Sequence, residues 1–262
     1  REELPLLFLP RGRAFYEAHQ LRHSLLLRWR IRKAKGIVAI TQCLKNALVQ
    51  AGFSHESILV AHDGYDDKAF AVTVDKQEAR KRLSLPRDKK IAMYIGGLEE
   101  WKGVETLCQA APSLAQADIL VVIIGGSEEE VKRLQSKYPR VLFCGARPYK
   151  ELPFIQQAAD VLVLPNSAKK RISREFTSPL KLFAHMASGV PIAASRLPAL
   201  REVLSDETAY LVVPDDPQAL AKGIRMALKD RMASAQRAKK AAQDVLAYSW
   251  DKRAKNVLAY IA

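Results

Sequence analysis

From about residue 90 onward, short runs of apolar residues alternate with longer stretches in which apolar residues recur every three or four positions. The short runs predict β-strands and the longer stretches predict amphipathic helices. The predicted strands are Ile91–Ile95, Ile119–Ile124, Val141–Cys144, Val161–Leu164, Pro191–Ala194 and Tyr210–Val213. The helices between and after them are Val104–Ala117, Glu128–Lys137, Lys150–Ala158, Pro179–Met186 and Pro217–Leu228. Strands that are apolar throughout and alternate with helices indicate a doubly wound parallel sheet with both faces covered, and therefore an α/β domain.

The first ninety residues contain a shorter version of the same pattern. Gly36–Thr41 and Ile58–Ala61 predict strands, with a helix over Gln42–Ala51 between them, and Ala14–Ala18 predicts one more strand. A complete doubly wound domain needs more strands than these. We therefore expect a partial second domain of the same Rossmann-like type, followed by a linker at Asp67–Asp75 and closed by a C-terminal helix, Ser249–Ile261.

The ends of the predicted strands carry the candidate chemistry. Gly96-Gly97, Gly125-Gly126 and Gly145 each follow a strand, as do Asn166 and Ser195. Ligands of open α/β sheets bind beyond the carboxyl ends of the strands, and glycine there permits close approach of the backbone. Ser178-Pro179-Leu180 opens a helix whose free N–H groups suit an anion. Together these features predict a cleft for a phosphate or a nucleotide.

Composition narrows the class of protein. Hydrophobic residues make up 48% of the chain and no low-complexity tract is present, which excludes disorder as the default state. The net charge is +14, concentrated in residues 1–35 and 222–255, and suggests an anionic partner. We expect no nucleic-acid partner, because no nucleic-acid motif is present and the basic segments lack interleaved aromatic residues. Cys43, Cys108 and Cys144 fit no zinc spacing, and we expect no metal.

Several segments resemble one family in its own order along the chain. Tyr94–Val104 resembles the first strand and turn of the donor domain of family 4 retaining glycosyltransferases, and Thr177–Ile192 resembles their signature helix and the strand after it. Upstream, Glu17-Ala18-His19 and Val60–Asp66 resemble the end of their acceptor domain. The resemblance implies the two-domain GT-B architecture and transfer of a sugar from a nucleoside diphosphate sugar with retention at the anomeric carbon.

The resemblance also implies how the chain is organised. Residues 1–70 would form part of the acceptor-side domain, 71–245 the donor-binding domain and 246–262 a C-terminal helix. The acceptor-side domain of such enzymes is longer, so we expect the chain to be incomplete at its amino terminus. The expected partners are a nucleotide-sugar donor and a glycan or lipid-linked acceptor of the cell envelope, at a cytoplasmic location and with no cofactor beyond the donor.

The resemblance and the strand-end positions together assign the site residues. The candidate catalytic residues are His19 and Glu175. The candidate donor-binding residues are Gly96, Gly97, Lys102, Arg147, Asn166, Ser178, Pro179, Leu180 and Lys181. Lys102 and Lys181 would face the diphosphate, because a cation in the first turn of a helix opposes the helix dipole unless an anion is bound there. His185, in the same helix as Lys181, is expected to be a packing residue.

Two positions depart from the family pattern. The glutamate that usually holds the ribose hydroxyls falls at Ala184, and an arginine that many members carry falls at Gly97. Alanine has no side-chain hydrogen-bond acceptor. An alternative interpretation is therefore a nucleotide-sugar-binding or scaffold module of the same fold whose catalysis is impaired.

A basic amphipathic segment leaves two interpretations open. Leu21, Leu25 and Trp29 recur every four residues within Leu21–Lys35, among six arginines and lysines. Such a helix can lie in the interface of an anionic membrane, which would place the protein peripherally at the inner face. Alternatively, its apolar residues pack into the acceptor-side domain and its cations are solvated.

Overall fold

A computed structural model describes residues 14–21, 28–29, 31–70 and 74–262. Within these residues nine strands form two parallel sheets, which confirms the α/β class. The small sheet has the order β1 (Phe15–Ala18), β2 (Gly36–Ala39) and β3 (Ile58–Val60). The large sheet has the order β6-β5-β4-β7-β8-β9. Its strands are β4 (Lys90–Ile95), β5 (Ile119–Ile124), β6 (Val141–Phe143), β7 (Val161–Leu164), β8 (Ile192–Ser195) and β9 (Tyr210–Val212).

The helices are numbered here in chain order over the described residues. They are α1 (Gln42–Gln50), α2 (Lys76–Arg82), α3 (Val104–Ala115), α4 (Glu128–Lys137), α5 (Leu152–Gln157), α6 (Arg171–Glu175), α7 (Leu180–Ala187), α8 (Pro198–Arg201), α9 (Pro217–Lys229), α10 (Arg231–Asp244) and α11 (Trp250–Ile261). Short 3₁₀ turns occur at Glu100–Lys102, Tyr149–Glu151 and Val245–Tyr248. None of these helices combines the length and the apolar composition needed to cross a membrane.

The large sheet is covered on both faces, as its sequence predicts. Along β4, Ala92 and Tyr94 belong to one apolar cluster, whereas Ile91, Met93 and Ile95 belong to another on the opposite face. Side chains alternate between the two faces of a strand, so a strand that is apolar at every position must be buried on both sides. Helices α3 and α9 contribute to the first cluster, and α2 and α5 to the second.

Four helices, α2, α6, α8 and α10, were not predicted as helices from the sequence, and strand β2 ends two residues earlier than predicted. Helices α2, α6 and α10 lie in stretches whose many charges mask the apolar periodicity, and α10 follows α9 after the single residue Asp230, whose carboxylate caps it by accepting from Ala233 N. Thr41, predicted to end a strand, caps α1, and its hydroxyl accepts a hydrogen bond from Leu44 N at 3.0 Å. Part of the predicted linker, residues 71–73, lies outside the described residues.

Polar contacts join the two sheets. Glu202 directly follows α8, between strands β8 and β9 of the large sheet. Its carboxylate accepts hydrogen bonds from the backbone N–H groups of Gln42 and Cys43, at 2.6 and 2.7 Å, and so caps α1 of the small-sheet half. At the far end of the chain α11 packs beside the small sheet, where the Tyr260 hydroxyl donates to Ser57 O at 2.6 Å. The boundaries predicted at residues 70 and 245 stay predictions.

The order of the large sheet reverses between β4 and β7, and the backbone there is closely packed. Gly125 has a φ of +128°, and a Cβ built on it would lie 2.0 Å from the carbonyl oxygen of Gly96. Gly103 has a φ of +69°, and its Cβ would lie 1.9 Å from the carbonyl oxygen of Pro165. Both contacts are with backbone atoms, so no side-chain rotation can relieve them.

This packing predicts a difference between two glycine substitutions. We expect Gly125→Ala to lower the free energy of unfolding by about 3 kcal/mol, because it combines a disfavoured φ with a backbone collision. Gly145→Ala is the matched control, since Gly145 also has a positive φ, +65°, but no other atom of the described residues lies within 4 Å of its Cβ position. We expect the control to cost about 1 kcal/mol. Urea unfolding of both variants measures the difference, and equal losses would contradict the collision.

Candidate functional site

A cavity of about 650 Å³ lies where the carboxyl ends of the two sheets face each other. The small sheet contributes His19 and Ile40, the first residues after β1 and β2, and Asp63, three residues after β3. The large sheet contributes the turns after β4, β5, β6 and β7, together with the start of α7. Within each parallel sheet the carboxyl ends of the strands lie at one edge. The two edges line the same cavity, and ligands of such sheets bind at the carboxyl ends of the strands.

Glycines form one edge of this cavity. Gly96 and Gly97 follow β4, Gly125 and Gly126 follow β5, and all of them line the cavity. Gly96 N donates to Ile124 O at 2.9 Å, which holds the two turns side by side. Without side chains at these positions, a ligand can approach the backbone closely.

Two lysines converge on the Gly96-Gly97 turn from different elements. The ammonium of Lys102, from the 3₁₀ turn after β4, pairs with the carboxylate of Glu99 at 2.7 Å. The ammonium of Lys181, from the first turn of α7, lies 3.1 Å from the Cβ position of Gly96. The same glycine turn therefore brings together two cations that are 79 residues apart in the sequence.

Tyr94 holds Lys181 against this turn. Its hydroxyl accepts a hydrogen bond from Lys181 Nζ at 2.7 Å and donates one to Gly97 O at 2.6 Å. The ammonium also lies 4.1 Å from the centre of the Tyr94 ring. Burial, with a smaller effect of Glu99, raises the pKa of the Tyr94 hydroxyl, so it remains a neutral donor and acceptor.

The side chain of Lys181 is close to its titration midpoint at neutral pH. Burial of its ammonium and, to a smaller extent, the positive charge of Lys102 lower the pKa of Lys181 to about 7, against a smaller opposing effect of Glu99. A bound anion would favour the charged lysine.

The start of α7 adds N–H donors to the same wall. Pro179 is the N-cap residue, and among the described residues no side chain caps this helix. Ser178 stands just before it, and its hydroxyl accepts a hydrogen bond from Asp63 N at 3.0 Å, which ties the helix start to the small sheet. A helix N-terminus favours a negative charge.

All but one of the predicted site residues lie on the cavity wall. These are His19, Gly96, Gly97, Lys102, Arg147, Asn166, Ser178, Pro179, Leu180 and Lys181. His19 Nε2 lies 3.0 Å from Glu17 Oε1. A residue that binds the donor or takes part in catalysis must lie on the cavity wall, and these residues do. Their individual roles stay predictions.

Glu175 is the exception, because it does not lie on the wall. Its carboxylate pairs with Arg171 at 2.6 Å and with Arg174 at 2.8 Å. Burial alone would raise the pKa of Glu175, but the hydrogen bonds from the two arginines hold it below the ordinary value. The position of Glu175 therefore does not favour the catalytic role predicted for it.

The two departures from the family pattern lie at different depths. Gly97 lines the cavity, whereas Ala184 is 1% exposed and lies within the protein on α7. His185, expected to be a packing residue, is buried, and its Nδ1 lies 2.7 Å from Gln156 Nε2. Burial and the nearby Lys181 lower the pKa of His185 to about 3, so its ring is neutral.

Sequence reasoning missed several wall residues. Asp63, Trp101 and Phe176 line the cavity, and Tyr94 supports it from behind. Tyr94 could have been found from its hydroxyl, which occurs at the penultimate residue of the otherwise apolar predicted strand Ile91–Ile95. For Asp63 the available signal was the position three residues after β3, close to the carboxyl end of a strand.

Two parallel sheets with a cleft between their strand ends fit the GT-B architecture, and the comparisons with known proteins agree. Residues 89–230, more than half of the chain, match the family Glycosyl transferases group 1. The chain therefore belongs to the Glycosyl transferases group 1 family.

Curated relatives share part of their length with this chain. The D-inositol 3-phosphate glycosyltransferase of Corynebacterium urealyticum is 29% identical over 229 residues, which cover 80% of this chain and 52% of the relative. The 2-deoxystreptamine glucosyltransferase of Streptomyces kanamyceticus is 25% identical over 225 residues, covering 80% and 56%. The chain thus spans about half the length of the curated relatives it matches.

Solved structures share the fold. Anabaena HepE, crystallised in complex with UDP and glucose, has a TM-score of 0.77 and 21% identity to this chain, and the match covers 94% of this chain and 70% of HepE. At this identity the likeness concerns the fold alone.

The environment of Lys181 predicts an unusual titration. We expect the ¹³Cε resonance of Lys181 to titrate with a midpoint near pH 7, the value to which burial and the charge of Lys102 together lower its pKa. Lys102→Ala removes a neighbouring positive charge and should raise that midpoint. Lys252→Ala, on the exposed face of α11, is the control and should leave it unchanged. A midpoint near the ordinary value of about 10.4 in the unaltered protein would contradict the burial of this ammonium.

Proposed function

We propose that this chain is the donor-binding part of a retaining glycosyltransferase, which moves a sugar from a nucleoside diphosphate sugar to an acceptor. The convergence of Lys102, Lys181 and the start of α7 on the glycine edge of the cavity carries this proposal. A diphosphate is the ligand that fits two cations, a helix N-terminus and an open backbone at one place.

The same groups suit the chemistry of transfer. When the bond between the sugar and the diphosphate breaks, negative charge develops on the leaving phosphate. Cations and N–H donors that are already in position stabilise this charge without reorganisation, and such electrostatic stabilisation is usually the largest catalytic effect. The pair of Lys102 and Lys181 would act on the leaving group in this way.

The names of the relatives support sugar transfer but differ in the acceptor. One acts on D-inositol 3-phosphate and another on 2-deoxystreptamine, while HepE has been crystallised with UDP and glucose. We therefore propose a nucleotide-sugar donor. Retention, and a place in cell-envelope glycan or glycolipid synthesis at the cytoplasmic side, are proposed from the resemblance to family 4 enzymes.

A second candidate function is a donor-binding module with impaired catalysis. Two observations favour it: Ala184 has no side-chain acceptor, and the carboxylate of Glu175 is engaged by arginines away from the cavity wall. Such a module would bind the nucleotide through the lysines without rapid turnover. Donor binding is common to both candidates, so it is the property to test first.

We expect this chain to bind at least one of UDP, GDP and ADP. Lys102→Ala should weaken that binding by about 1–3 kcal/mol, because a charge-assisted contact with phosphate is lost. Lys252→Ala is the control and should bind like the unaltered chain, because Lys252 is exposed on α11. Isothermal titration calorimetry measures all three proteins. Absence of binding for every nucleotide at millimolar concentration, or no effect of Lys102→Ala, would contradict the proposed site.

We further propose a peripheral contact with an anionic membrane. Trp29 is 55% exposed, and the Lys33 ammonium lies 3.7 Å from the centre of its ring. Leu21, in contrast, is partly buried against the core of the small sheet, which is the packing that the alternative interpretation required. Leu25, Arg22 and Arg30 of the predicted helix lie outside the described residues.

Vesicle binding should distinguish the two interpretations. We expect co-sedimentation with vesicles containing phosphatidylserine but not with phosphatidylcholine vesicles, and loss of binding in high salt, because the attraction is electrostatic. Trp29→Ala should weaken binding by removing an interfacial aromatic residue. The exposed Trp250 offers a matched control, Trp250→Ala. If neither kind of vesicle binds the chain, only the packing interpretation remains.

A further inference from the structure

Asn166 is a buried polar residue whose side-chain amide makes no hydrogen bond to the described residues. It is fully buried, it borders the cavity two residues after the end of β7, and neither its amide nitrogen nor its amide oxygen has a hydrogen-bond partner among the described residues. Buried amide groups normally find partners, because leaving one unpaired costs free energy of folding. An orphaned amide at a binding cavity therefore points to a ligand that supplies the missing partners.

The backbone around Asn166 is held from several sides. Ser167 N donates to Trp101 O at 3.0 Å, and Ala168 N donates to the carboxylate of Asp215 at 2.8 Å. On the preceding side, the carbonyl of Pro165 packs against Gly103, where a Cβ would approach to 1.9 Å. The side chain is therefore presented from a fixed backbone, as a group that reads a ligand needs to be.

The required partner chemistry excludes phosphate alone. The amide oxygen needs a hydrogen-bond donor, and the amide nitrogen needs an acceptor. An ionised diphosphate offers only acceptors. A sugar hydroxyl, or two neighbouring ones, offers both a donor and an acceptor.

The position along the sheet also separates the sugar from the nucleoside. The glycine and lysine cradle lies at β4, with β5 and β6 on one side and β7 on the other. The half of the protein that contains the small sheet contacts the segment that follows β7. Asp63 N donates a hydrogen bond to Ser178 Oγ at 3.0 Å, and Thr41 Oγ1 donates one to Glu175 O at 3.0 Å. A sugar that is transferred must lie between the two halves, so it belongs on the side of β7, and the nucleoside extends toward β6.

We propose that Asn166 recognises hydroxyl groups of the transferred sugar and so contributes to the choice of donor sugar. This inference rests on the proposed function, since it assigns one part of the same donor site. The effect is on sugar recognition rather than on binding of the nucleoside diphosphate, whose phosphates lie at the lysines.

The test compares two ligands on the same protein. Calorimetry gives the affinity for whichever of UDP, GDP and ADP binds, and for the corresponding UDP-glucose, GDP-glucose or ADP-glucose. In Asn166→Leu, which keeps the size of the side chain but removes its hydrogen bonds, we expect unchanged affinity for the nucleoside diphosphate. Affinity for its glucose conjugate should fall about tenfold, the scale for losing hydrogen bonds to neutral hydroxyls. Asn256→Leu, on the exposed face of α11, is the control and should alter neither affinity.

Thermal unfolding of the ligand-free proteins supplies a second readout. Asn166→Leu should raise the melting temperature or leave it unchanged, because it removes an unsatisfied buried amide. A lower melting temperature would mean that the amide serves the fold and would overturn the proposal. If Asn166→Leu does not fold, Asn166→Ala takes its place in the affinity comparison.

The outcomes separate this inference from the proposed function. If the unaltered chain binds neither nucleotides nor nucleotide sugars, the proposed function fails and the inference fails with it. If nucleotides bind but the variant keeps the ratio of the two affinities, or loses both affinities equally, the proposed function stands and the role of Asn166 in reading the sugar is wrong.

Discussion

Close approach of backbone to backbone at the carboxyl edge of the large sheet is the constraint on which the site depends. Gly125 packs on the carbonyl of Gly96, and Gly103 packs on the carbonyl of Pro165, at distances that no side chain would permit. These contacts draw the turns after β4, β5 and β7 together at the point where the strand order reverses. The lysines, the helix start and Asn166 reach one cavity only because these turns are so close.

The cavity brings together charged and polar side chains that have unfavourable neighbours or lack hydrogen-bond partners among the described residues. Two like charges, Lys102 and Lys181, are held near one turn, with Tyr94 and Glu99 offsetting part of their repulsion. Asn166 is buried, and neither of its amide atoms has a hydrogen-bond partner within the part of the chain that the structure describes. Each arrangement costs free energy of folding, and an anionic ligand with hydroxyl groups would relieve both. Such local conflicts are expected where a fold has been shaped for binding, because preorganised charge is most effective when the protein has already met its cost.

The fold could be predicted well because its signal is local. Apart from Lys90 and Ser195 at strand ends, the six strands of the large sheet are apolar, and burial on both faces of a parallel sheet is the direct cause of that pattern. The site was predicted in part, since strand ends and helix starts mark where ligands bind. Tyr94 escaped prediction because its role depends on a partner in α7, 87 residues away. The catalytic role predicted for Glu175 stays a prediction that its position does not favour, for the converse reason: local register cannot show that Arg171 and Arg174 pair with its carboxylate.

The junction between the two sheets follows a different logic from either core. It relies on hydrogen bonds to backbone groups, with Glu202 capping α1 and Ser178 accepting from Asp63. Phe176 adds an apolar contact by packing with the core of the small sheet. Ser178, Asp63 and Phe176 also line the cavity, so the contacts that orient the sheets and the wall that would hold the sugar share residues. The residues that orient the sheets and the residues available to a ligand are therefore partly the same, so a substitution at Ser178 or Phe176 would change both.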